Sequence, residues 1–170
     1  MVAVMTLKET LLSEFDDEIA VTRRLLDRLP DAAFSWKPHE KSMSLGGLAN
    51  HLAQIPHWGT SILERDGYDL VHDSDDRAAE KHSRAEVLET FDAHAVHVRR
   101  MLVAKTDAEL TAPWALTSGG QLLMSMPRLG ALRRFLLNHL VHHRGQLSVY
   151  LRLQGVPLPP IYGPTADEGM

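Results

Sequence analysis

Three of the chain's ten histidines lie within five positions of one another near its end, in the stretch NHLVHHRGQ. His139 and His143 are four residues apart, so on a helix they lie one turn apart on the same face. Imidazole nitrogens in that arrangement can converge on one ion, at about 2.0–2.1 Å from a zinc-like metal. The pair therefore suggests two ligands of a metal site, although core histidines can show the same spacing.

The leucine spacing around this pair indicates that it lies on or beside a buried helix face. The apolar stripe comprises Leu132, Phe135, Leu136, Leu140, Leu147 and Leu151. An imidazole buried without a partner costs about 1–3 kcal/mol, and one cation would satisfy both rings. Hydrogen bonds to backbone or carboxylate groups are the alternative explanation. His142 points roughly 100° away from His143, which suits a boundary residue or one that supports the ligands.

A third ligand has to come from another part of the chain. His51 is favoured, because it lies in LANHLAQI between the apolar positions Leu48 and Leu52. His94 and His97 are rivals, since they also lie near an apolar stripe. Three neutral imidazoles leave at least one coordination position open, as in catalytic rather than structural zinc sites. Such a site can make bound water or a bound thiol nucleophilic near neutral pH.

Residues around the proposed ligands suggest further contacts. Gln146 and Arg144 lie near these ligands on the predicted helix and are candidates for contact with a substrate. A backbone carbonyl or an acidic partner suits Arg144 equally well. Trp36, Trp58 and Trp114 suit either the mouth of a pocket or ordinary packing. The sequence singles out no general acid or base.

Four long amphipathic segments must position these residues. Apolar side chains recur at helical spacing over residues 6–29, 44–66, 83–105 and 127–154. Pro56 lies inside the second segment, and we expect a kinked helix there because the helical period continues past the proline. Four such helices in one small domain predict an all-α fold, a four-helix bundle.

The ends and connections of these helices carry signals of their own. Ser44 and Ser83 stand where N-caps are needed. The polar connection over residues 67–82 reaches roughly 50 Å when extended, enough to run back along a helix of roughly 30 Å. It therefore permits a long crossover between the second and third helices as well as a simple up-down order. Gly119 and Gly120 lie between two short apolar runs and indicate a small hairpin.

Composition argues against several functional classes. A chain of 170 residues suits one domain over residues 1–170. The net charge of −4 argues against a broad nucleic-acid surface. The absence of cysteine removes disulfides, thiolate ligands and a protein thiol nucleophile. No segment suits a membrane span or a signal peptide, so we expect a cytoplasmic protein without a membrane or nucleic-acid partner.

Two motifs, taken together in this order, resemble the DinB/YfiT-like family. The stretch FSWKPHEKSMSLGGLANHLAQIPHW is similar to the start of that family's second helix, with a Trp-x-Pro loop, a serine cap and a histidine. The stretch HHRGQLSVYLRLQGVPLPPIYGPTADE resembles the family's C-terminal end, where a histidine-rich helix continues with Arg-Gly-Gln, a hydrophobic run, a glycine and prolines. The resemblance covers roughly the whole chain.

This resemblance implies a four-helix bundle in up-down-down-up order. It also implies a divalent metal, commonly nickel or zinc, held by three histidines that match His51, His139 and His143. Many family members are homodimers. Characterised branches of the family use a low-molecular-weight thiol for transfer or isomerisation, or act as metal-dependent hydrolases. The resemblance therefore implies a homodimer that acts on a small-molecule substrate.

Three functional hypotheses follow from these observations. The first is a metal-dependent small-molecule enzyme, either a thiol-cofactor transferase or a hydrolase. The second is a non-catalytic bundle whose metal or pocket binds a ligand or stabilises a dimer. The third is that the histidines are core residues and bind no metal. Retention of a divalent ion, its loss on the substitution His139→Ala, and activity with thiol cofactors separate the three.

Overall fold

The computed structural model describes residues 5–73 and 80–169 of the chain. Its secondary structure is mainly helical, and no helix among these residues is long and apolar enough to cross a membrane. Part of the predicted connection over residues 67–82 lies outside the described residues. The helices are α1 (Leu7–Leu26), α2 (Leu45–Glu64), α3 (Arg84–Ala104), α4 (Asp107–Thr111), α5 (Arg128–Leu132) and α6 (Asn138–Leu153).

The helices α1, α2 and α3 each begin at a hydroxyl N-cap. Ser44 and Ser83, predicted from the sequence, each accept a hydrogen bond from the backbone N–H three residues further on. At α1, Thr6 and Glu9 form a reciprocal capping box. Such caps stabilise a helix by about 1 kcal/mol each. The prediction of one helix continuing through Pro56 is also confirmed, since α2 contains it.

The long helices enclose one hydrophobic core. Helices α1 and α2 each pack against both α3 and α6. Burying one leucine side chain is worth about 1.5–3 kcal/mol, so the core holds α2 firmly beside α6. The up-down-down-up order and the homodimer stay predictions. The most deeply buried side chains include Leu25, Leu48, Leu52, Ile55, Phe91, Leu136, Leu140 and Leu147.

The predicted helix over residues 127–154 is continuous but contains a π turn. Helix α5 leads into the π turn over Arg133–Leu137, and α6 follows directly. The backbone N–H of Asn138 bonds to a carbonyl five residues earlier. A π turn inserts one extra residue, which rotates the following helix by roughly 100° relative to an uninterrupted α-helix. The adjacent Leu136 and Leu137 are both buried here, and the turn sets the direction in which α6 presents its histidines.

A three-stranded sheet corrects the all-α prediction. Strand β1 (Gly67–Asp69) pairs in parallel with β2 (Pro113–Ser118), which pairs in antiparallel fashion with β3 (Gln121–Pro127). The predicted hairpin is confirmed, since Gly119 and Gly120 have φ angles of 55° and 79°, as a tight two-residue turn requires. Strand β1 lies within the segment that was predicted to be a connection. Three residues are too few to show an alternating pattern, so the sequence did not indicate this strand.

Asp69 fastens β1 to the hairpin. Its carboxylate accepts hydrogen bonds from the backbone N–H groups of Gly119 and Gly120 and from the Thr117 hydroxyl. Hydrogen bonding, above all from Gly120, holds the pKa of Asp69 well below its usual range. The ionised side chain therefore keeps the sheet together as a unit that packs beside α2.

Candidate metal centre

Helices α2 and α6 bring three imidazoles together. Nε2 of His139 lies 3.1 Å from Nε2 of His51 and 2.8 Å from Nε2 of His143. All three side chains are half-buried, and their ligand atoms lie within 4.8 Å of one another. Within residues 5–73 and 80–169 this is the one such group of three metal-binding side chains. The structure therefore brings together the three histidines singled out in the sequence.

Hydrogen bonds alone satisfy these three nitrogens poorly. Nδ1 of His143 lies 2.7 Å from Oε1 of Gln146. An amide oxygen only accepts hydrogen bonds, so Nδ1 carries the ring proton and Nε2 of His143 presents a lone pair. Nε2 of His139 cannot then bond well to both neighbouring rings: with a proton it can donate to only one of them, and without a proton it faces the lone pair of His143. One cation would instead bind a lone pair from each imidazole.

The separations between the nitrogens suit a shared ion. Two imidazole nitrogens bound at about 2.0–2.1 Å are about 3.3 Å apart in a tetrahedral site and about 2.9 Å apart at a right angle. The distances from His139 to its two neighbours are 3.1 and 2.8 Å. Imidazole is a donor that suits zinc, nickel and copper. The three residues therefore fit a divalent transition-metal ion.

Burial keeps these imidazoles neutral. Burial, followed by repulsion from neighbouring imidazoles, lowers the pKa of His51 to about 4 and the pKa of His139 to about 4. Burial also lowers the pKa of His143, although its hydrogen bond with Gln146 opposes that shift. Neutral imidazole is the form that binds a metal. The site can therefore take up a cation near neutral pH without first releasing protons from its ligands.

Gln146 and Arg144 hold the ring of His143 and helix α6 in position. Gln146 bonds to the ring of His143, which fixes the ring's orientation. Arg144 is 1% exposed, and its guanidinium lies 2.6 Å from the Glu18 carboxylate on α1. It also donates a hydrogen bond to the Thr22 hydroxyl. The guanidinium also donates a hydrogen bond to the backbone carbonyl of Glu18, so Arg144 has both the backbone carbonyl and the acidic partner that were suggested for it.

The rival histidines lie apart from this cluster. His94 on α3 contacts His57, with ring centroids 5.0 Å apart, and its Nδ1 lies 2.9 Å from a backbone carbonyl of α2. His97 is exposed. His142 is also exposed, and its ring centroid lies 4.7 Å from that of His143. His142 thus lies outside the cluster, as predicted, but on the exposed surface of α6.

Trp58 connects the three histidines to a cavity. Its ring is edge-on to the rings of His51 and His139, at centroid distances of 5.7 and 5.0 Å. The sequence suggested either a pocket or ordinary packing for the three tryptophans. Trp58 and Trp114 line the cavity, whereas Trp36 packs edge-on against Tyr150. The cavity has a volume of about 320 Å³ and is lined by Trp58, Ser61, Ile62, Tyr68, Leu70, Trp114, Leu116 and Phe135.

The part of the cavity that the sheet supplies was not evident from the sequence. Tyr68 lies in β1, Leu70 follows that strand directly, and Leu116 lies in β2. The signal for the hairpin was present in the sequence, but nothing in it indicated that β1 pairs with β2. The arrangement as a whole combines a donor set for a transition metal with a largely apolar space beside it.

Comparison with known proteins agrees with the resemblance seen in the sequence. Residues 3–169 match the model of the DinB family. The uncharacterised protein YjoA of Bacillus subtilis is 26% identical over 154 residues, which are 89% of this chain and 94% of YjoA. The uncharacterised protein YrdA of the same organism is 49% identical over 39 residues. That match spans 23% of either chain and is therefore local.

Two crystal structures have a similar fold. A DinB-like protein from Bacillus cereus ATCC 10987 has a TM-score of 0.70 and 23% identity, over 91% of this chain and 97% of that one. The DinB-like protein YjoA from Bacillus subtilis has a TM-score of 0.69 and 20% identity, over 90% of this chain and 96% of that one. Both likenesses concern the fold alone.

Proposed function

Because the chain belongs to the DinB family, we propose that it is a metal-dependent enzyme acting on a small molecule. His51, His139 and His143 hold the ion, which is nickel or zinc. The observation that carries this proposal is the convergence of three Nε2 atoms, with separations of 3.1 and 2.8 Å, beside a cavity. Three imidazoles leave room for a further ligand, as catalytic metal sites do.

The residues of the site have separate tasks. When bound, the ion supplies Lewis acidity that makes water or a thiol nucleophilic near neutral pH. The imidazoles provide neutral donors, and Gln146 holds the ring of His143 with Nε2 toward the other two rings. Trp58 covers one side of the cluster. Excluding water on that side strengthens the electrostatic interactions within the site.

Transfer of a low-molecular-weight thiol to an electrophile, or hydrolysis, is the proposed class of reaction. The resemblance to the DinB/YfiT-like family supports both. The chain contains no cysteine, so a thiol cofactor would meet no competing protein thiol at the ion. The cavity volume of about 320 Å³ lies at the small end of the range of ligand pockets, roughly 300–1,000 Å³, which suits a small substrate.

Metal content provides the first test. Protein purified without a histidine tag should carry about one divalent ion per chain, and His139→Ala should abolish this retention. The matched control is His142→Ala, which removes an exposed histidine three positions further along the same helix. Mass spectrometry of the metal after gel filtration gives the result. A wild-type protein that retains no ion and takes up neither nickel nor zinc would refute the proposal.

Activity separates an enzyme from a non-catalytic protein that binds a metal or ligand. Metal-loaded protein is screened with low-molecular-weight thiols and electrophilic acceptors, and with ester and amide substrates for hydrolysis. We expect turnover that disappears with a chelator and in His139→Ala. Stoichiometric metal without turnover across the screen would favour the non-catalytic alternative.

A further inference from the structure

The cavity beside the three histidines has the composition of a site for aromatic groups. We infer that it binds an aromatic group of one or two fused rings, which forms the apolar end of the substrate. This inference rests on the proposed function and deepens it by naming the class of substrate. Half of the eight lining residues are aromatic, namely Trp58, Tyr68, Trp114 and Phe135.

The size of the cavity sets the size of the group. An apolar cavity of about 150 Å³ accommodates benzene. The cavity here measures about 320 Å³, so it has room for a bicyclic group such as an indole or a naphthalene. Aromatic walls favour edge-to-face and offset contacts with ring centroids about 4.5–7 Å apart. A saturated ring of similar size lacks these contacts.

Two residues of the cavity wall lie close to the proposed metal ligands. Trp58 contacts both His51 and His139 through its ring. Phe135 precedes His139 by four residues in the continuous helix that contains the π turn, so the two lie about one turn apart. Trp58 is only half-buried. A ring in the cavity would therefore lie against the same tryptophan that contacts His51 and His139, with its substituent directed toward the metal.

Arg128 holds the cavity walls in place before any ligand arrives. It is 5% exposed and donates hydrogen bonds to the backbone carbonyls of Ile62 and Arg65. Its guanidinium also lies 2.7 Å from the Asp66 carboxylate. These contacts join the C-terminal end of α2 to α5, where the helix that carries Phe135 begins. A preformed cavity of this kind is typical of small-molecule sites.

Indole is the probe that tests this inference, because it is neutral, soluble and bicyclic. Isothermal titration calorimetry is carried out on full-length protein from which metal has been removed with a chelator. We expect saturable binding of about one indole per chain, and roughly tenfold weaker binding of 2-decalol, a neutral saturated bicyclic alcohol of similar size. Equal affinity for the two compounds would overturn the assignment to an aromatic group. Absence of saturable indole binding would overturn the site itself.

Three tryptophan substitutions locate the bound indole. Leu116→Trp and Leu70→Trp fill the cavity from two sides and should abolish saturable binding. Leu123→Trp is the matched control, because Leu123 is 52% exposed on β3 and lies outside the cavity. Circular dichroism and thermal melting show whether each variant folds. Leu70 is also 52% exposed, so it accepts the larger ring and decides the result if Leu116→Trp is unstable. Binding that survives Leu70→Trp in the folded protein refutes the location.

Two further measurements relate the cavity to the metal. His143→Ala should lose metal yet still bind indole, since His143 does not line the cavity. In the wild-type protein, Cu²⁺ should broaden the proton resonances of bound indole and Zn²⁺ should not. Indole binding without metal uptake refutes the metal-dependent function and leaves the cavity assignment. Metal uptake without indole binding refutes the cavity assignment and leaves the metal-dependent function. Absence of broadening by Cu²⁺ refutes the inference that the bound ring is part of the substrate of the metal site.

Discussion

Helix α2 contributes a histidine to each of two clusters, and only one cluster in the described part of the chain is a candidate metal site. His51 meets His139 and His143 of α6, whereas His57 meets His94 of α3. Both clusters are partly buried. Their difference shows what a metal site requires beyond a high density of histidine.

The difference lies in what each ring nitrogen faces. In the α2–α6 cluster the Nε2 atoms of three rings face one another. In the α2–α3 cluster, Nδ1 of His94 instead bonds to the carbonyl oxygen of Ala53 at 2.9 Å. The ring of His57 lies beside it at a centroid distance of 5.0 Å, tilted by 37°. Convergence of free lone pairs, rather than burial, therefore distinguishes the candidate metal site.

The largest expected effect is the loss of zinc on removing His51 but not His57, the other α2 histidine in the comparison. His51→Ala should lose stoichiometric zinc, because it removes one of three donors. His57→Ala should retain zinc at the wild-type level. Metal analysis after gel filtration of both variants provides the measurement, with circular dichroism to verify the fold. Equal loss of zinc in the two variants would break the comparison between the clusters.

Removing Arg144 tests how firmly α6, the helix that carries His139 and His143, is anchored. Arg144→Ala leaves the largely buried Glu18 with the Tyr162 hydroxyl but without its cationic partner, which should reduce the free energy of unfolding by about 3 kcal/mol. Arg152→Ala, which breaks the more exposed ion pair with Asp167, should reduce it by less than about 1 kcal/mol. Urea unfolding of both metal-free variants gives the values. Similar losses would show that burial of Arg144 does not anchor α6.

Replacing Gln146 should have a smaller effect, which is confined to the metal site. Gln146→Ala removes the acceptor that fixes the ring of His143 and should weaken zinc binding about tenfold. Gln146→Glu keeps an acceptor and should retain the wild-type affinity. Competition with a chelating dye measures both constants. Unchanged affinity in Gln146→Ala would mean that packing alone orients the imidazole.

The smallest effect concerns pH and the α2–α3 cluster. Burial lowers the pKa of His94, and the nearby His57, His97 and Lys81 lower it further against the opposing bond to Ala53. The unfolded chain then binds a proton more readily, so stability falls as the pH drops below about 6.5. Metal-free His94→Asn should therefore lose less stability on acidification than the wild type.

Urea unfolding at pH 8 and at pH 5 measures this difference for the two proteins. The other histidines are common to both, so subtracting one pH dependence from the other isolates His94. If the free energy of unfolding falls equally in the two proteins, the protonation of His94 does not differ between the folded and unfolded states.

Much of the candidate site follows from helical spacing. His139 and His143 share a face because they are four residues apart, and His51 stood out because it lies on an apolar stripe. His94 and His97 met the same criterion. The choice among them depended on α2 packing against α6, which no local pattern expresses.

Sequence alone determined the long helices, the caps at Ser44 and Ser83 and the turn at Gly119-Gly120. Each depends on interactions between residues that are only a few positions apart in the sequence. Three features became evident only in the folded chain: the π turn, the pairing of β1 with β2, and the cavity shared by helices and sheet. These depend on contacts between segments that are distant in the sequence, such as Gly67 with Ala115. Such contacts stabilise the chain only once it has packed, so no single stretch of sequence reveals them.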